Sequence, residues 1–132
     1  MDIEALLRAH RKALVIAAEA AVREAGDRAP DKTQLNRLVS ICGEATCAEE
    51  ITNYLRYQVS RKSRPWPRAF ADTVIAKITG PLDAVTGSLR DADADRARVA
   101  AWRLYAVFLA RAFTYTSYVL RQERPDRDRA RR

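Results

Sequence analysis

The stretch V99-AAWRLYAVFLARAFTYTSYV-L120 decides how the chain is read. Apolar or aromatic residues stand at Val99, Trp102, Tyr105, Val107, Phe108, Leu109, Phe113, Tyr115, Tyr118, Val119 and Leu120. They are too many for one narrow stripe and too few for a membrane span, so the spacing predicts a helix buried on most of its circumference. At a rise of ~1.5 Å per residue it is about 33 Å long, the diameter of a small domain, and the rest of the chain is expected to pack around it. Only Arg103 and Arg111 interrupt its apolar surface with charge. Eight residues apart, they stand about 80° from each other and two turns along, which lets both look out through one gap between neighbouring helices.

Outward from this stretch the chain reads as all-α. It has 132 residues, 48% of them hydrophobic, enough for one domain with a core that needs no disulfide or metal. Glycine and proline are scarce, and no window alternates apolar and polar residues between turn pairs. Residues 2 to 25 place Ile3, Leu6, Leu7, His10, Leu14, Ala17, Ala18, Ala21, Val22 and Ala25 three or four apart, a first amphipathic helix stopped by Gly26. After the turn at Pro30 and Asp31, Leu35, Leu38, Val39, Ile41 and Cys42 line a second helix as far as Gly43. Thr46-Cys47-Ala48-Glu49 fits a capping box for a third, which carries Ile51, Tyr54, Leu55 and Val59 inward and runs to about Arg61. Pro65 and Pro67 forbid its continuation. A fourth helix with Phe70, Val74, Ile75 and Ile78 is expected to end at Gly80-Pro81, with room for a short turn over Leu82 to Val85 before Gly87. The expectation is a single-domain bundle of about five helices around a long C-terminal one, followed by a flexible basic tail over residues 121–132, which offers nothing apolar to bury.

Charge is unevenly placed. The net charge is +7, and residues 51–71 hold five basic groups and no acidic one. In that window Arg56, Arg61, Lys62, Arg64 and Arg68 are interleaved with Tyr57 and Trp66, a pattern that offers phosphates both charge and a stacking surface. The competing reading is a solvated helix end whose aromatics turn into the core. In the tail, Arg121 and five further arginines are diluted by Glu123, Asp126 and Asp128, which favours a solubilising role.

Other chemistry finds little support. Asp91, Asp93 and Asp95 resemble the opening of a calcium loop, but Arg96 stands where glycine is needed and Trp102 where glutamate is needed. Those acids suit the amino end of a helix dipole instead. Cys42 and Cys47 have only His10 as an imidazole companion, so they read as reduced thiols with no zinc site and no cofactor. A glycine-rich phosphate loop, a nucleophile elbow and a paired-carboxylate motif are all missing, which reads as a non-enzyme. The first residues lack a cationic head followed by an apolar run, so a cytoplasmic protein without a membrane span is expected.

With the helices placed, the motif order over residues 31–120 resembles the small subunit of type III CRISPR effector complexes, the Csm-type in particular. Lys32-Thr33-Gln34-Leu35-Asn36-Arg37-Leu38 is similar to that family's opening Thr-Ser-Gln-Ile-Arg-like run. Leu55-Arg56-Tyr57-Gln58-Val59-Ser60-Arg61 is similar to its Tyr-x-x-Gly-Arg segment, and Leu104 to Tyr118 resembles its last helix. Departures accompany the likeness: Ser60 stands for the glycine, Asn36 precedes the arginine at Arg37, and no His-Lys follows Tyr115. The resemblance implies a helical subunit that stacks with copies of itself and with other effector-complex subunits, and that contacts guide RNA and target RNA through basic side chains. On that basis Arg61 is the best-matched RNA-binding position, with Arg37, Arg56, Lys62, Arg64, Trp66 and Arg68 beside it and Arg103 and Arg111 as further members. Residues 1–30 then form a helix added to the family core. The alternative is a helical protein–protein adaptor or regulator that binds no nucleic acid.

Overall fold

A computed structural model describes residues 2–130, with side chains as far as Glu123. Five helices and no strand occur among the described residues: α1 (Ile3–Ala25), α2 (Lys32–Glu44), α3 (Ala48–Ser60), α4 (Arg68–Thr86) and α5 (Asp91–Ala130). No described helix is long and apolar enough to cross a membrane.

α5 is the element against which all four others pack. α1 runs alongside it in the same direction: Arg11 lies 5.9 Å over the Phe108 ring, and Arg23 shares a groove with Thr116 further along. α2 runs the opposite way, its end at Cys42 and Gly43 beside Arg103 and its middle at Asn36 beside Arg111. α4 is also antiparallel, and the buried Tyr105 hydroxyl donates to the Val74 carbonyl at 2.7 Å. Burial holds that hydroxyl protonated by pushing its pKa far up, so the donor is permanent. The core gathers Leu14, Ala18, Ala21 and Val22 of α1, Leu35 and Leu38 of α2, Ile51 and Leu55 of α3, Val74 and Ile78 of α4, and Ala97, Ala101, Trp102, Tyr105 and Leu109 of α5. Thus α1, which the resemblance sets outside the family core, fills part of the same core.

The helix ends explain the boundaries and three departures from the sequence reading. Asp2 caps α1 by accepting from the Ala5 amide. The capping box belongs to α2: Asp31 Oδ1 accepts from Gln34 N at 2.9 Å, and Gln34 Oε1 from Asp31 N at 3.0 Å. At α3 the expected box is displaced by one residue. Cys47 is the N-cap, its side chain accepting from no helix amide, and Glu50 reaches back to accept from the amide and the hydroxyl of Thr46 and from the Cys47 thiol. Those bonds hold the Glu50 carboxyl below its ordinary pKa.

α4 continues through Pro81 to Thr86 and does not stop at Gly80-Pro81. Proline removes one helical hydrogen bond, but Val85 is fully buried and Leu82 packs on the core, so the extra turn is held by tertiary contacts. The third departure is α5 itself. Its burial ends at Leu109; from Ala110 to Glu123 no residue is fully buried, and Tyr115, Tyr118 and Leu120 are exposed. Beyond Leu109 the neighbours α1 and α2 flank the helix across open grooves, so this part of its greasy stretch is only partly covered. The expected flexible tail falls on residues 121–132, whose side chains beyond Glu123 lie outside the described residues.

Candidate nucleic-acid interface

The acid-free run folds into the end of α3 and the loop to α4, and two buried glutamines hold that loop to the body. Gln34 Nε2 donates to the Arg64 carbonyl at 2.8 Å, thirty residues away in sequence. Gln58 accepts from the Trp66 amide through its backbone carbonyl at 3.0 Å and from Arg61 Nη1 through its side chain at 3.1 Å. Arg64 has a left-handed φ of 49°, a conformation that costs a non-glycine residue roughly 1–2 kcal/mol unless its surroundings impose it. Here the Gln34 clasp on one side and Trp66 on the other impose it.

Trp66 is not a stacking surface. It is 1% exposed and packs its indole on Phe70 at a centroid distance of 5.6 Å. An indole is among the largest apolar surfaces a chain carries, and between two prolines it serves as the plug that seats the loop. The expectation that it contacts RNA is therefore corrected. Tyr57, by contrast, is exposed.

The basic residues separate into two groups. Arg37 of α2 and Arg61 at the end of α3 converge on Tyr54, whose hydroxyl burial pushes up in pKa while the two positive charges pull it back. With Lys62 and Arg64, both exposed, they form one electropositive edge, and none of the four forms an ion pair among the described residues. Arg56 and Arg68 lie on the opposite side of α3, in a groove of about 420 Å³ against α4. Asp72 in that groove pairs with Arg68 at 3.8 Å. The window free of acid in sequence is thus met by acid in space on one of its two faces.

Arg103 and Arg111 both lie along the seam between α2 and α5, but they differ in employment. Arg103 Nε donates to the Cys42 carbonyl at 2.8 Å and Nη2 to the Gly43 carbonyl at 3.1 Å. It thereby closes the carboxyl end of α2, where free carbonyls and the helix dipole favour a cation. Arg103, exposed to solvent, thus has a structural task in addition to the RNA contact expected of it. Arg111 is exposed and has no such partner; it lines a groove of about 570 Å³ together with Asn36, Thr114, Tyr115, Tyr118 and Arg121. Sequence reasoning assigned the two tyrosines to the core and Arg121 to a solubilising tail. The signal that places them together is their spacing, since positions 111, 114, 115, 118 and 121 share one helical face.

No group of three or more His, Cys, Asp or Glu side chains fit to hold a metal ion occurs among the described residues. Asp93 and Asp95 pair instead with Arg96 and Arg98 on the first turns of α5. Cys42 is buried and its thiol is pushed up to about 12, so it is inert as a nucleophile at neutral pH. No protein-family model, curated protein or solved structure matches the chain.

Proposed function

We propose that this chain is a non-catalytic, cytoplasmic RNA-binding subunit that lays the edge formed by Arg37, Arg61, Lys62 and Arg64 against a phosphate backbone. The observation that supports this reading is that Arg37 of α2 and Arg61 at the end of α3 both act on Tyr54, next to a loop whose own Lys62 and Arg64 have no acidic partner among the described residues. Charges held this way lose little conformational freedom on binding, and phosphate contacts are blind to sequence. Both properties suit a subunit that accepts whatever guide and target RNA pass along it, as the resemblance to type III CRISPR small subunits implies. Copies of the chain and other effector-complex subunits are its expected protein partners on that reading.

A second reading, a protein–protein adaptor, has one observation in its favour. A groove of about 590 Å³ between α1 and α5 is lined by Val15, Phe108, Ala112 and Tyr115, with Glu19, Arg23 and Arg111 at its edge. The two readings separate in one experiment. Replacing Arg37, Arg61 and Arg64 together by glutamine should weaken single-stranded RNA binding for all sequences alike and flatten its log–log salt slope by about 2 units, at ~0.7 per lost phosphate contact. Unchanged slope, or no RNA binding by the parent protein, favours the adaptor.

A further inference from the structure

We infer that the α2–α5 groove is a stacking site for unpaired nucleobases of single-stranded RNA, with Tyr115 and Tyr118 as its platform and Arg111 and Arg121 as its phosphate clamps. The inference rests on the RNA-binding reading and names what that reading lacks, since the burial of Trp66 leaves the basic edge without its expected indole.

Four observations converge. Tyr115 and Tyr118 are 68% and 52% exposed, the two most solvent-open aromatic side chains on α5. One turn apart, they present two rings about 4.5 Å apart along the axis, close to the spacing of neighbouring bases in a strand. Arg111 and Arg121 bracket them, about 15 Å from one to the other along the same face, and no carboxylate among the described residues lines the groove. Asn36, from α2, faces the same groove with a side-chain amide able to donate to and accept from a base edge, and it is followed directly by Arg37 of the basic edge.

A groove lined, among the described residues, by cations, exposed rings and an amide, with Glu19 set apart on the α1 side, is complementary to a polyanion that carries flat, polar-edged bases. Stacking tolerates any base because each has a π-face, and arginine beside a ring adds cation–π attraction. A duplex has no unstacked base to offer, so the groove distinguishes single strands from double strands.

The test compares labelled single-stranded RNA with a duplex of equal length, each titrated with the parent chain, the Tyr115→Ala/Tyr118→Ala pair and the Tyr115→Phe/Tyr118→Phe pair. Both positions are exposed and alanine favours helix, so circular dichroism should show the alanine pair folded. The alanine pair is expected to bind the single strand roughly tenfold or more weakly. The salt slope should stay put because no phosphate contact is lost, the duplex should be unaffected, and the phenylalanine pair should bind like the parent. Equal binding of the single strand by the alanine pair and the parent overturns the inference, as does equal weakening for strand and duplex. A change of oligomeric state in sedimentation with RNA affinity intact also overturns it and assigns the face to a second copy. If the parent binds no RNA at all, the RNA-binding reading itself fails, a result seen before any tyrosine variant is compared.

Discussion

Replacing Trp66 by alanine separates a structural plug from a ligand-stacking ring, because the two roles predict losses in different measurements. The indole is 1% exposed against Phe70, and truncation of a fully buried tryptophan costs about 3–5 kcal/mol in lost burial and residual cavity. Its Nε1 has no hydrogen-bond partner among the described residues, so removing that buried donor returns about 1 kcal/mol. The net expected loss is about 2–4 kcal/mol, a large share of the ~5–15 kcal/mol that holds a domain together. With a slope of ~2 kcal/mol per molar urea, the unfolding midpoint should fall by about 1–2 M without change of slope. Trp66→Phe keeps one ring on Phe70 and discards the orphan N–H, so it should fall by far less and bind RNA as the parent does. The reasoning is refuted if Trp66→Ala leaves the urea midpoint within ~0.3 M of the parent while RNA affinity drops tenfold, for then the ring contacts ligand.

Three further outcomes follow from the seam between α2 and α5. Iodoacetamide at pH 8 should label Cys47 and spare Cys42 in the folded protein, and label both in urea, because burial lifts the Cys42 thiol to about 12. A folded pKa above the unfolded value of about 9 means that the stabilisation is complete below pH ~9 and is lost as pH climbs toward 12; an alkaline limb absent from a Cys42→Ala variant should appear in urea titrations. Arg103→Met should lower stability by about 1 kcal/mol through two lost bonds to the end of α2, while the salt slope for RNA stays as in the parent. A flattened slope with unchanged stability would return Arg103 to the RNA face.

The number of helices and their apolar faces were legible because burial follows helical spacing: Leu14, Ala18, Ala21 and Val22 stand on one face whatever lies opposite. What was illegible depended on neighbours distant in sequence. Pro81 reads as a stop until Val85 is seen to be buried beyond it. Trp66 reads as a platform until Phe70 and the two glutamines are seen to draw it inward. Arg103 and Arg111 stand about 80° apart on a helical wheel, close enough to share one gap, and what separates them is that one meets the open end of α2 and the other its side. Local pattern also places Tyr115 and Tyr118 in the core, since it cannot register that α1 and α2 flank this part of α5 across open grooves without closing over it. The basic run was legible as charge, but its division by α3 into a paired and an unpaired face was set by Asp72, on another helix.

Photo-crosslinking of 4-thiouridine-containing single-stranded RNA to the whole chain, with the joined peptides mapped by mass spectrometry, tests most directly that the outer side of α2 and its two flanks form the RNA face. Crosslinks should fall on the segments around Arg37, on the loop 61–64 and on residues 111–121 of α5, and should fade as salt rises. Crosslinks concentrated on α1, or in the α3–α4 groove around Arg68 and Asp72, would contradict the account, and so would their absence at low salt.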